Sequence, residues 1–294
     1  MGGVVSSNTA TSDNGSSIGS CGDIIQVLLT TGAYVLAVFL MFVFVEVLAN
    51  YYNRLSTNRT VLIADTVNSD KTITILQNPN TEGSKPVQLS DNERSGVEFS
   101  YSFYLNVNPA SFQNANPTEG LLHIFHKGYP SQFPLFSPGV YMLSNHNTLR
   151  VYMNTYKTWN NYIEVENIPV SKWVHIVIVC KDHSLEIYVN GNIAKKMSFD
   201  GYPPYQNYQD ICCFSGRQVT ISKTKTPSVG DSDLLILGAM KGLMSRLTYF
   251  NYAMGYSEIS QMMNQGPSSQ IEAEQLNYLP PYFSDNWWTH SNTV

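Results

Sequence analysis

Charged side chains are few in this chain. Asp, Glu, Lys and Arg make up 13% of its 294 residues, and the formal net charge is −5. Lys and Arg are scattered rather than gathered into a stripe, which excludes the phosphate-tracking surface of a nucleic-acid-binding protein. Cysteines are fewer still: Cys21, Cys180, Cys212 and Cys213. Adjacent Cys212 and Cys213 make only a strained vicinal bridge, so the chain lacks a secreted disulfide framework and suits a reducing compartment. There is no Ser/His/Asp order and no phosphate-binding glycine loop. His123 and His126 form H-x-x-H, but strand alternation puts such a pair on opposite faces, where they cannot share a metal.

One stretch has no charge at all. From Ile24 to Val45 the sequence runs IIQVLLTTGAYVLAVFLMFVFV, and at ~1.5 Å per residue this spans the ~30 Å hydrocarbon core of a bilayer. Asp23 precedes it; Glu46, Asn50, Tyr51, Tyr52 and Arg54 follow, with the tyrosines suited to the interface. A cleaved signal peptide ending at Ala49 is the competing reading. It is disfavoured by an n-region without Lys or Arg and by the length of the apolar run. A buried core helix is seldom apolar all round over this length. The sequence therefore predicts a single-span membrane anchor.

Its orientation is pulled two ways. Arg54, Arg59 and Lys71 follow the span and no basic residue precedes it, which places the C-terminal region on the cytosolic side. Met1-Gly2-Gly3-Val4-Val5-Ser6 fits the pattern for myristoylation of Gly2, a cytosolic modification of the opposite end. The glycosylation sequons Asn14-Gly15-Ser16 and Asn58-Arg59-Thr60 flank the span and do not decide. We expect the domain to face the cytosol.

Beyond the span the periodicity becomes two. Val97, Phe99, Tyr101, Phe103, Leu105 and Val107 alternate with mostly polar residues, predicting a long strand with one buried face. In Ser171–Asn192, SKWVHIVIVCKDHSLEIYVNGN, the first strand is apolar on both faces and the second on one. Asn190-Gly191 suits a tight type I′ turn into a return strand. Shorter strands are expected at Leu121–Phe125, Pro138–Met142, Leu149–Met153, Leu234–Gly238 and Gly242–Phe250. A short helix capped by Ser257, with Ile259, Met262 and Met263 on one face, is stopped at Gly266-Pro267.

These segments, in this order, resemble the laminin-G-like, concanavalin A-like jelly rolls. KWVHIVIV…LEIYVNG, FSYSFYL, IFHKG and FNYAM..SEI resemble that family's signatures, over about residues 60–267. The resemblance implies an all-β, two-sheet antiparallel jelly-roll sandwich preceded by one N-terminal transmembrane helix. The expected organisation is a polar arm (1–23), the helix (24–48), a juxtamembrane linker (49–60), the jelly roll (61–267) and an aromatic-rich tail (268–294).

Glycosidases of this superfamily carry an E-x-D-x-x-E pattern on one strand, and none occurs here. Glu164 and Glu166 share a strand face, as solvent-facing alternation explains. No catalytic residues, enzymatic activity or obligatory cofactor is expected. Many relatives hold calcium through an Asp and loop carbonyls; Asp182, Asp200, Asp210, Asp231 and Asp233 lie in loops but form no diagnostic cluster. Two sets of aromatics beside amides are candidate glycan or partner sites: Trp159, Asn160, Asn161 and Tyr162, and Tyr202, Tyr205 and Tyr208 with Asn207. Tyr282, Phe283, Trp287 and Trp288 in the tail are candidate anchors on a partner or straps over the domain itself.

The expected function is a non-catalytic structural tether, joining a membrane to protein subunits of a larger assembly. The chain resembles laminin-G-like proteins of large DNA viruses, which implies a minor capsid protein between an internal virion membrane and the shell, or a host endomembrane location. The alternative is a membrane-anchored lectin or adhesion protein that binds carbohydrate.

Overall fold

The computed structural model describes residues 21–90, 97–112, 120–129, 135–158, 161–201, 209–221 and 234–271. Two units divide the chain, Met1–Thr57 and Asn58–Val294. In the first, helix α1 runs Cys21–Thr57, through most of the segment expected as a linker. Within it Ile24–Asn50 has a mean hydropathy of 2.4 and none of it is buried against protein. Thr30 and Thr31 turn their hydroxyls back to the carbonyls of Gln26, Val27 and Leu28, so their polar atoms are satisfied inside the helix. A helix apolar on every side and close to the N-terminus is either a signal sequence or a membrane anchor.

The second unit is a two-sheet β-sandwich. Its strands are β1 (Arg59–Val61), β2 (Thr66–Asn68), β3 (Ile73–Ile75), β4 (Phe99–Val107), β5 (Leu121–Tyr129), β6 (Leu135–Leu143), β7 (Leu149–Tyr152) and β8 (Tyr162–Val165). They continue as β9 (Trp173–Lys181), β10 (Ser184–Val189), β11 (Asn192–Ser198), β12 (Ile211–Cys213), β13 (Val219–Ile221), β14 (Leu234–Ala239) and β15 (Gly242–Phe250). Helix α2 (Tyr256–Asn264) follows. One sheet has the order β1-β15-β4-β9-β10-β11, with β2 also on β15; the other has β13-β14-β5-β6-β7-β8, with β12 on β5 and β3 on β12. Among the described residues the named strands pair antiparallel, except β14 with β5, which is parallel; isolated parallel bridges join Thr66 to Ile271 and Val107 to Val170.

Phe99, Tyr101, Phe103, Leu105, Ile176, Ile178 and Cys180 of one sheet meet Ile124, Phe125, Val140, Met142 and Val151 of the other in a single core. The expected two-sided burial of β9 is present, and its cause lies outside the sandwich. Val177 and Val179 face away from the other sheet and are covered by Phe250, Tyr252, Met254, Ile259 and Met262. Helix α2 thus shields the outer face of its sheet. The same cover corrects the expectation for β4, whose second face is also buried. There Ser100 Oγ donates to Tyr252 O at 2.9 Å and accepts from Met254 N–H at 2.9 Å. Tyr104 Oη donates to Met262 O and Met263 O at the C-terminal end of α2.

The helix start is also corrected. Gly255, not Ser257, is the N-cap; its N–H donates to Glu258 Oε2 at 2.7 Å, and Tyr252 Oη donates to Glu258 Oε1 at 3.0 Å. A buried glutamate three residues into the helix serves better here than a serine side chain, because one carboxylate accepts from two donors. At the far end Gly266 takes a φ of 68° and the helix stops as expected. The Asn190-Gly191 turn has φ values of 48° and 79°, the pair of positive angles that a two-residue hairpin needs.

Candidate functional site

The hairpin β10–β11 builds a polar concavity. A regular ladder leaving the Asn190-Gly191 turn would set Glu186 opposite Lys195. A register shift between Ile187 and Tyr188 sets it opposite Lys196 instead. Lys196 Nζ then lies 2.6 Å from Glu186 Oε1, and Tyr188 Oη donates to Glu186 Oε2 at 2.8 Å. Burial pushes the Glu186 carboxyl up, but the hydrogen bonds from Lys196 and Tyr188, with the charges of Lys196 and Lys181, outweigh it and hold the group below its ordinary range. Glu186 is therefore an ionised, fixed acceptor. Tyr188 shows the reciprocal effect: burial and the bond to Glu186 push its hydroxyl up to about 12.

These side chains line a groove of about 560 Å³, whose opposite wall is the chain entering α2. Val179 and Met254, both buried, lie at its base. Tyr256, the first residue of the helix, is 70% exposed at its margin. The capping by Glu258 and the seating of Ile259 and Met262 on β9 set the backbone of this tyrosine at the groove's edge. A second concavity of about 370 Å³, by Leu62, Ile73 and Leu76, also holds Asp65, Thr74 and Lys85, whose Nζ donates to Leu62 O at 2.9 Å. Among the described residues its lining has no aromatic ring, and it is the weaker candidate.

Of the candidate glycan or partner residues, Asn161 and Tyr162 are described. Asn161 Nδ2 donates to Thr158 Oγ1 at 2.6 Å and to Thr155 Oγ1 at 3.2 Å, so its amide staples its own loop. Tyr162 carries the Arg150 guanidinium on its ring at 4.6 Å, and Arg150 pairs with Glu164 at 2.6 Å and donates to Tyr152 Oη at 3.3 Å. That cluster saturates itself across β7 and β8. Trp159, Asn160, Tyr202, Tyr205, Tyr208, the tail anchors Tyr282, Phe283, Trp287 and Trp288, and Gly2 lie outside the described residues.

For calcium, Asp210 Oδ1 accepts the Gln77 N–H at 2.9 Å and Asp182 occupies a turn at φ 49°. Asp200 is exposed, and Asp231 and Asp233 lie outside the described residues. Among the described residues no three His, Cys, Asp or Glu converge as ligands.

The structure corrects the reading of His123 and His126. A register shift between His123 and Phe125 lets both Ile124 and Phe125 enter the core, so the two histidines emerge on the same face. His123 Nε2 and His126 Nδ1 are 2.6 Å apart. Burial, with His126 nearby, pushes the His123 imidazole well down, and burial pushes His126 down to about 4. His123 has both nitrogens engaged, by His126 and by the Ser215 amide, and no third ligand converges on the pair among the described residues.

A second contact invisible in the sequence is Ser102 Oγ to His175 Nε2 at 2.9 Å. It has the first two members of a nucleophilic triad, but among the described residues His175 Nδ1 has no partner, and both side chains are buried. Burial pushes His175 down to about 4.

The groove residues Tyr256, Glu186 and Lys196 carry no sequence signal beyond the Asn-Gly turn that brings two strands together. A charged pair ten residues apart across a hairpin is common surface chemistry.

Residues 80–260 match a laminin-G-like family model described as the concanavalin A-like lectin/glucanases superfamily. No curated protein matches the chain. Similar solved structures include the binding domain of Paraclostridial Mosquitocidal Protein 1, with a TM-score of 0.43 and 14% identity over 70% of this chain and 46% of that one. The binding domain of botulinum neurotoxin DC with SialylT has a TM-score of 0.38 and 12% identity over 57% and 35%. The Trypanosoma rangeli sialidase with difluorosialic acid has a TM-score of 0.40 and 10% identity over 59% and 24%. The chain spans less than half the length of each.

Proposed function

The chain belongs to the concanavalin A-like lectin/glucanase superfamily, and from that premise we propose a non-catalytic recognition domain, held at a membrane by α1, that takes saccharides in the groove beside Tyr256. One observation carries the reading. A single groove joins an exposed aromatic ring to a fixed carboxylate–ammonium pair, Glu186 with Lys196. A pyranose presents an apolar C–H face and a rim of hydroxyls, which need a ring to stack on and acceptors and donors that do not move. The groove's volume, about 560 Å³, falls in the range of small-ligand sites.

Anchoring is supported by Ile24–Asn50, long enough to cross a bilayer and apolar on every side. The non-catalytic reading is supported by the missing E-x-D-x-x-E pattern and by the sealed Ser102–His175 contact. Saccharides are displayed on lumenal and extracellular faces, so recognition sets the domain there, against the side favoured by Arg54, Arg59 and Lys71. The virion tether expected from the sequence draws no support from the family match.

The test is a glycan array probed with the full chain in lipid nanodiscs. Saccharide binding that falls at least tenfold in Tyr256→Ala supports the reading; no saccharide binding, or binding indifferent to Tyr256, overturns it. Alkaline extraction of membranes, with N-terminal sequencing, tests the anchor: a chain beginning after Ala49 and released to the supernatant would make α1 a cleaved leader.

A further inference from the structure

The groove's charges specify what kind of saccharide it accepts. Glu186 uses one oxygen for Lys196 and the other for Tyr188, and each carboxylate oxygen keeps a second lone pair. Lys196 is 54% exposed and has two further N–H donors beyond the one spent on Glu186. An ionised acceptor and a cationic donor therefore stand side by side, 2.6 Å apart. That spacing is comparable to the separation of neighbouring hydroxyl oxygens on a sugar ring. A sugar bearing such a pair would donate one hydroxyl to Glu186 while the neighbouring one accepts from Lys196.

The same pairing disfavours an acidic sugar. The charge of Lys196 is neutralised where it sits, and a ligand carboxylate brought to that ammonium would meet the Glu186 carboxylate at close range. Around the groove Lys181 and Lys196 are balanced by Asp182 and Glu186, so it offers no net field to an anion. Its base of Val179 and Met254, with the exposed Tyr256 ring, favours an uncharged ring with an apolar face.

We infer that the groove selects neutral hexopyranosides and reads a vicinal pair of hydroxyls through Glu186 and Lys196. This rests on the saccharide-recognition reading above and goes beyond it in naming the class of sugar and the two residues that discriminate.

The experiment is a titration of the full chain in nanodiscs with lactose, methyl α-D-mannoside and 3′-sialyllactose, read by saturation-transfer NMR and calorimetry. Lactose or the mannoside is expected to bind at least tenfold more tightly than the sialylated sugar. Glu186→Gln and Lys196→Met are each expected to weaken that binding tenfold or more, and Lys196→Arg, which keeps the donor, to retain most of it. O-methylation of one hydroxyl of the recognised pair is expected to abolish it. Near-UV circular dichroism of each variant shows whether the fold is kept. If 3′-sialyllactose binds more tightly than lactose, or Glu186→Gln strengthens binding of the acidic sugar, the inference is overturned while saccharide recognition in the groove stands. If none of the sugars binds, the recognition reading falls and the inference with it.

Discussion

His123 Nε2 lies 2.6 Å from His126 Nδ1, while the backbone N–H of Ser215 donates to His123 Nδ1 at 2.9 Å. An amide can only donate, so His123 carries no proton on Nδ1. Neutral His123 must hold it on Nε2 and pass it toward His126 Nδ1, which leaves His126 protonated on Nε2. The bond exists in this sense only while both rings are neutral, the state their burial enforces.

Stability is therefore expected to fall in mild acid. His126 and His175 have folded values of about 4, against an unfolded value of about 6.5, and His123 is shifted in the same direction. Between those values the unfolded chain binds more protons than the folded one. The contribution is whole above the unfolded value and is lost as pH falls through the folded one, at about 1.4 kcal/mol per histidine per pH unit. Urea melts of the full chain in detergent at pH 7.5 and 5.0 test this. A midpoint that does not move would refute the neutral, buried assignment.

Gly191→Ala is expected to destabilise the domain by roughly 1–2 kcal/mol. Gly191 sits at φ 79°, and a Cβ there would stand 3.1 Å from Met263 Sδ. The substitution strains the turn that aligns Glu186 with Lys196, so urea melts should register it first.

Glu258→Ala removes the acceptor shared by Gly255 N–H and Tyr252 Oη. Gly255 is exposed and its amide can turn to water, but Tyr252 is buried, and losing the acceptor there costs about 1–3 kcal/mol. Since Tyr256 is the first residue of that helix, faster amide exchange at 256–259 should accompany weaker saccharide binding. Glu258→Gln, which keeps one acceptor oxygen, should recover part of both. Unchanged exchange in Glu258→Ala would show that Ile259 and Met262 alone hold the helix.

The cysteines are expected to differ in reactivity. Cys180 and Cys213 are fully buried, and burial pushes both thiols far up. Cys212 is partly exposed, and burial also raises it, less completely. In a Cys21→Ser background, a maleimide should label Cys212 slowly in the native chain and the other two only after denaturation. Rapid labelling of Cys180 would contradict its place in the core.

Much of the fold is legible in local pattern. The period of two in Phe99–Val107 and Trp173–Lys181, and the Asn190-Gly191 turn, specify strands and a hairpin without any long-range knowledge. The short strands Arg59–Val61, Ile73–Ile75 and Ile211–Cys213 are not legible. At three residues they have no period to detect and exist only because longer neighbours offer them an edge. The double burial of β4 was hidden for another reason: Ser100 and Ser102 read as solvent-facing, yet each has a buried partner in a segment more than seventy residues away.

A long apolar helix, a β-sandwich and its family are all legible in local pattern, because hydrophobic period and turn chemistry act between residues close along the chain. Tertiary structure alone decided which side chains meet. One register shift moved Glu186 from Lys195 to Lys196, and another, between His123 and Phe125, turned two histidines onto a common face. Docking of α2 on the outer sheet set Tyr256 at the margin of the groove. Each outcome depends on a one-residue offset or a docking angle. Such offsets are selected by how the core closes, and the local pattern on either side of them reads the same.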